Sequence, residues 1–128
     1  MNVVDSSGWI EFFQAGGNGP IFRPVIAEET QLIVPTISIF EVHRVLSRHL
    51  KDSLVTPCLD VMRRGKVVDF TDARAVAASR ISKQHHLALA DAAMYSIALE
   101  FKATFWTQDA DYQGLPSVRY FAKSIASP

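Results

Sequence analysis

Short apolar runs alternate with longer stretches of helical periodicity along the whole chain. Val3-Val4, Leu32-Ile33-Val34, Lys66-Val67-Val68-Asp69-Phe70, Ala103-Thr104-Phe105-Trp106 and Val118-Arg119-Tyr120-Phe121 read as strands. Leu32-Ile33-Val34 is apolar on both sides, as a parallel sheet covered on both faces requires. Between the strands the pattern predicts helices. One begins after Asp5-Ser6 and stops at Gly16-Gly17-Asn18-Gly19-Pro20, and a second spans 21–30. A third is capped by Thr36 or Ser38 and reaches about Lys51, and a fourth covers 53–64 and ends at Gly65. A fifth runs from 73 to about 84 behind Thr71-Asp72, and a sixth covers 87–99. Strand and helix alternate without repeat or linker. The expected fold is α/β: a single domain over 1–128, a three-layer α/β/α sandwich with a mainly parallel central sheet of four or five short strands.

The sixth helix is almost wholly apolar or small, and Asp91 is its single carboxylate near the start. Three more acids stand in comparable places. Asp5 and Asp109 lie just past the first and fourth strands, and Glu41 is flanked by Ile39-Phe40 and Val42. The carboxyl ends of strands in such sheets gather functional groups, so Asp5 and Asp109 can be neighbours despite about a hundred intervening positions. Each acid also has a purely structural reading. Asp91 suits a first helical turn, and Asp5 suits a cap where a strand enters a helix. Glu41 could pair with Arg44 or Arg48 on a helix surface, and Asp109 could form an Asx-turn with Asp111. Ser7 and Thr107 read as turn residues that could instead orient a neighbouring carboxylate. If the four acids converge, their repulsion needs a divalent cation. Oxygen-only ligands select Mg²⁺, with Mn²⁺ as a substitute, and that chemistry suits phosphodiester hydrolysis.

Composition narrows the partners. Thirteen basic residues balance thirteen acidic ones, so any nucleic acid must be met by a local patch rather than by bulk charge. His43, Arg44, Arg48, His49 and Lys51 follow one helix; most belong to a solvated face, with Arg44 and Arg48 as the phosphate contacts. A single cysteine, Cys58, excludes an internal disulfide and reads as a small apolar residue. Neither a signal segment nor a membrane-spanning run is visible, so the expected location is cytoplasmic with no membrane partner. His85-His86 reads as a loop, and Trp9 as core or interface, with stacking on a nucleic-acid base left open.

The stretches Val3-Val4-Asp5-Ser6-Ser7-Gly8-Trp9-Ile10-Glu11, Ser38-Ile39-Phe40-Glu41-Val42, Leu89-Ala90-Asp91-Ala92 and Phe105-Trp106-Thr107-Gln108-Asp109-Ala110-Asp111-Tyr112 together resemble the four acidic motifs of PIN-domain ribonucleases. They are most similar to the VapC-type toxins of bacterial type II toxin–antitoxin pairs, and the resemblance covers nearly the whole chain. It implies a Mg²⁺-dependent endoribonuclease whose catalytic, metal-binding acids are Asp5, Glu41, Asp91 and Asp109. The family's hydroxyl after the first acid maps to Ser6 or Ser7, and its threonine before the last acid to Thr107. Asp111 is an extra acid, a ligand directly, through water, or not at all. The resemblance also implies an RNA substrate, a homodimer, and a cognate antitoxin covering the groove. The alternative is a catalytically silent module of the same fold that binds RNA or protein. A haloacid-dehalogenase-like site fits poorly, because Ser7 stands where a second aspartate is needed. A receiver-like site fits poorly too, because Lys102 precedes its strand.

Overall fold

Successive side chains of a strand point to opposite faces of a sheet, and this chain uses that alternation to build two cores. The computed structural model describes residues 1–123. Its strands are β1 (Asn2–Val4), β2 (Leu32–Pro35), β3 (Lys66–Val68), β4 (Thr104–Thr107) and β5 (Val118–Tyr120). All pairings are parallel, in the order β3-β2-β1-β4-β5. Val3 stands in register with Ile33 on one side and Phe105 on the other, and these three belong to one core. Val4, Leu32 and Val34 turn the other way and belong to the second.

The helices are α1 (Ser6–Phe13), α2 (Gly19–Ala27), α3 (Thr36–Leu46), α4 (Asp52–Met62), α5 (Asp72–His85) and α6 (Leu89–Glu100). Trp9, Phe22, Val42, Leu46, Leu59 and Met62 bring α1 to α4 onto the face that carries Val4. Met94, Tyr95 and Ile97 bring α6 onto the opposite face, and α5 packs on α6. The result is the expected three-layer sandwich with a wholly parallel sheet. Every residue from Ala92 to Ala98 is buried, which explains why that helix tolerates so little polarity.

Boundaries differ from the sequence expectation where local chemistry decides them. Gly19-Pro20 opens α2 rather than closing α1, because proline's fixed φ suits a first helical turn. A separate 3-10 turn over Glu29–Gln31 replaces the end of the expected second helix. Neither Thr36 nor Ser38 caps α3: Pro35 holds the cap position, and the Thr36 hydroxyl instead accepts the Phe70 N–H at 3.2 Å. That helix stops at Leu46 rather than near Lys51, and β3 ends at Val68. His86 closes α5 in the left-handed region, φ 57°. Among the described residues no helix is long and apolar enough to span a membrane.

Chain order fixes where function can sit. From central β1 the chain steps outward to β2 and β3, then crosses back to β4 on the other side of β1. The crevice above such a reversal point, at the carboxyl ends of the strands, is where open α/β sheets bind ligands. α1 leaves β1 there, and α3 leaves β2 there. α6 runs back toward the start of β4, so its amino end lies at the same edge.

α1 approaches β1 and α2 so closely that Gly8 has no room for a side chain. A Cβ there would lie 2.7 Å from Val4 Cγ1 and 3.0 Å from the Phe22 ring. Gly8→Ala is expected to lower stability by about 1–3 kcal/mol by overpacking, despite alanine's better helix propensity. A reduced urea midpoint checks this; an unchanged midpoint would show that α1 can shift away.

Candidate active site

Asp5 follows β1 and caps α1. Its Oδ1 accepts the Gly8 N–H at 3.0 Å, and the Ser7 hydroxyl donates to both carboxylate oxygens at 2.7 and 2.9 Å. A third donor comes from across the switch point: Thr107 Oγ1, at the end of β4, donates to Oδ2 at 2.7 Å. Only 2% of Asp5 is exposed. Burial pushes its pKa up to about 6, against the lowering effect of Ser7, Thr107 and the Gly8 N–H; nearby Asp109 adds to the rise. The capping reading of Asp5 is therefore met, and the same geometry leaves its carboxylate under the charge of Asp109.

Thr107 Oγ1 also accepts the Asp109 N–H at 2.9 Å, so one hydroxyl ties the first acid to the last. Asp109 caps a 3-10 turn over Ala110–Tyr112, its Oδ1 accepting the Asp111 N–H at 2.9 Å. That is the Asx-turn expected as the structural alternative, and it swings the Asp111 carboxylate toward its neighbours. One oxygen from each of Asp91, Asp109 and Asp111 lies within 4.8 Å of the others. Asp91 enters from the first turn of α6. Burial raises its pKa; the Tyr112 hydroxyl lowers it, and the charges of Asp109, Glu41 and Asp111 raise it further. Glu41 approaches from α3, where its Oε1 accepts the Ser6 hydroxyl at 2.7 Å.

Of the four candidate acids, Asp91 and Asp109 meet, with Asp111 alongside; Asp5 is tied to Asp109 through Thr107, and Glu41 acts on Asp91 through its charge. Their hydrogen-bond donors are all uncharged. Among the described residues no lysine or arginine forms an ion pair with Asp5, Glu41, Asp91, Asp109 or Asp111. The helix-surface pairing of Glu41 with Arg44 or Arg48 is not formed; Ser6 takes that place, and both arginines are exposed. A cluster with its negative charge left intact and oxygen as its only donor fits a hard divalent cation. A separate pocket of about 270 Å³, lined by Phe70, Ala78, Ser82, Leu89 and Ala92 among others, contains no titratable side chain.

Several supporting residues carry no sequence signal. Asn18 and Gln108 are buried, and the Asn18 amide donates to Gln108 Oε1 at 3.0 Å and to the Ala122 carbonyl at 2.9 Å. Gln108 lies between Thr107 and Asp109, so this bond braces the acid loop from below. Nothing in a glycine-rich turn marks Asn18 for that task. Tyr112 is fully buried and its hydroxyl donates to the Asp91 carbonyl at 3.1 Å. Burial and the charges of Asp91 and Asp5 drive its pKa far above the ordinary phenol value. Trp9 is fully buried, which rules out stacking on a base, and Cys58 is half-buried in α4, donating to the Leu54 carbonyl. His85 closes the last turn of α5, edge-on to Tyr95.

Comparison with solved structures places this geometry in a known fold. A toxin–antitoxin complex from Klebsiella pneumoniae matches with a TM-score of 0.77 at 17% identity, covering 93% of this chain and 96% of that one. VapC20 from Mycobacterium tuberculosis, described as a Sarcin-Ricin loop cleaving toxin, matches with a TM-score of 0.76 at 16% identity, covering 93% and 99%. FitAcB from Neisseria gonorrhoeae matches at 0.69 and 15% identity, covering 94% and 96%. Searched against curated protein sequences, the chain has no match. The family model described as PIN domain matches residues 3–117, a span that runs from within β1 to the residue before β5 and takes in all five acids, and the chain therefore belongs to the PIN domain family.

Proposed function

We propose that this chain is a divalent-metal-dependent endoribonuclease, the toxin of a toxin–antitoxin pair. The observation that carries this reading is the meeting of Asp91, Asp109 and Asp111 oxygens within 4.8 Å, beside a buried Asp5 and with no ion pair to lysine or arginine among the described residues. Asp5, Glu41, Asp91 and Asp109 would hold Mg²⁺, or Mn²⁺ in its place, with Asp111 as a further ligand direct or through water. When bound, such an ion supplies Lewis acidity toward phosphate oxygen and water. The chain's own groups do the rest. Ser7 and Thr107 fix the Asp5 carboxylate, Ser6 fixes Glu41, and exposed Arg44 on α3 and Arg48 in the turn after it meet the phosphates of the substrate. A solved neighbour described as a toxin–antitoxin complex supports a protein antitoxin as partner, and one described as a Sarcin-Ricin loop cleaving toxin supports RNA as substrate; the cytoplasm would be the working place. A homodimer completes the reading.

Incubation of the purified protein with RNA is expected to give cleavage that requires Mg²⁺ or Mn²⁺ and stops with EDTA. Asp91→Asn should reduce it to the level of RNA alone. Thr107→Val should raise the Mg²⁺ requirement by about 10–100-fold, the usual cost of losing a partner to a ligand. Tight RNA binding that ignores EDTA and leaves the substrate intact would favour the silent binding module instead.

Asp5 sets opposite pH slopes for stability and activity. Its carboxyl titrates at 3.8 when unfolded and about 6 when folded, so between those values the native state holds a proton that the unfolded chain has lost. Stability without metal therefore falls as pH rises from about 4 to 6, reaching a cost of about 3 kcal/mol near neutrality. In the absence of divalent ions Asp5→Asn is expected to melt at a higher temperature than the wild type at pH 7.5, with the gap closing toward pH 4. Cleavage should run the other way, declining below about pH 6 as protons compete with the ion for Asp5. Thermal melts and rates across pH 4–8 check both slopes.

A further inference from the structure

Two tyrosine hydroxyls cross between α6 and the loop that follows β4, one in each direction. Tyr112, the last residue of the 3-10 turn, donates from the loop to the Asp91 carbonyl at 3.1 Å. Tyr95, one turn further along α6 than Asp91, donates from the helix to the Pro116 carbonyl at 2.6 Å. Neither side chain is exposed. Their ring centroids lie 6.1 Å apart, and both rings pack on Phe105, at 5.6 Å for Tyr95 and 4.7 Å for Tyr112. The rings thus supply core packing, whereas each hydroxyl serves only to join the two elements.

That junction falls at the seam of the acidic cluster. Asp109 and Asp111 are fixed relative to each other inside one turn, by the Asp111 N–H on Asp109 Oδ1 and the Tyr112 N–H on the Asp109 carbonyl at 3.2 Å. Asp91 stands on a different element, so its distance from that pair depends on how α6 docks against the loop. We propose that Tyr112 and Tyr95 are positioning residues whose crossed hydroxyl bonds set the spacing of Asp91 from Asp109 and Asp111, and so tune divalent-ion affinity. The proposal rests on the metal-dependent reading above. A hydrogen bond of this kind adds only about 1 kcal/mol to folding. Mg²⁺ instead demands near-ideal octahedral ligation and is sensitive to small ligand displacements. Losing a hydroxyl should therefore be felt more at the ion than in the fold.

The test measures Mn²⁺ binding to the full chain, without RNA, by electron paramagnetic resonance for the wild type, Tyr112→Phe, Tyr95→Phe, the double variant and Asp91→Asn. Tyr112→Phe is expected to weaken Mn²⁺ by about tenfold or more. Tyr95→Phe should weaken it less, because its bond lies farther from the acids, and the double variant should weaken it most. Metal-free melting temperatures should stay within a few degrees of the wild type, about what 1 kcal/mol produces. The Mg²⁺ concentration for half-maximal RNA cleavage should rise in step with the Mn²⁺ dissociation constant. Should Tyr112→Phe fail to fold, Tyr95→Phe carries the same comparison. Unchanged Mn²⁺ affinity in the folded phenylalanine variants, with wild-type binding intact and Asp91→Asn binding lost, overturns the proposal and leaves the nuclease reading standing. A wild type that binds Mn²⁺ no better than Asp91→Asn removes the metal reading itself, and the crossed pair falls with it.

Discussion

A carboxylate with almost no exposure to water, Asp5, is the group around which the rest of this molecule is arranged. Burying it raises its pKa to about 6, a penalty that Ser7, Thr107 and the Gly8 amide only partly offset. The donors come from α1, which follows β1, and from the end of β4; the two strands sit side by side in the sheet yet are separated by most of the chain. The parallel topology makes this possible, because it brings the ends of β1 and β4 to one edge. Gly8, pressed against Val4 and Phe22, lets α1 sit close enough for its first amides to reach the carboxylate.

Uncharged donors hold the acids. Hydroxyls from Ser6, Ser7 and Thr107 and main-chain N–H groups orient Glu41, Asp5 and Asp109 without cancelling their charge. Arginine or lysine in those places would have fixed the side chains equally well and consumed the negative potential that attracts a cation. Elsewhere the same chain does use ion pairs. Arg74 binds Glu100 through two nitrogens at 3.0 and 2.9 Å, away from the cluster. The contrast separates charges that tie elements together from charges kept available for a ligand, and stability near neutral pH is the cost of the second kind.

The layering was legible in the chain because it depends on local periodicity. Val3 and Val4 face opposite ways in any strand, and the long run of small and apolar residues over 87–99 reads as an interior helix, so five strands and six helices follow with boundary errors of a few residues. Those errors have local causes. Pro20 can open a helix as well as end one, and Thr36 found a better partner in the Phe70 amide than at its own helix end. The acids at positions 5, 41, 91 and 109 were legible as candidates, since charge placed beside apolar runs is costly without a purpose.

What the sequence by itself determined is therefore the order of elements, the faces they bury and which acids are candidates for a shared site. Only the tertiary structure decided that Ser6, rather than Arg44 or Arg48, holds Glu41, that Asp111 joins Asp91 and Asp109, and that Asn18, Gln108 and Tyr112 brace the loop from positions with no pattern of their own. The physical reason is range. Periodicity and capping act over a few residues, whereas these bonds close across 21 to 104 positions and exist only once the sheet has set the elements side by side.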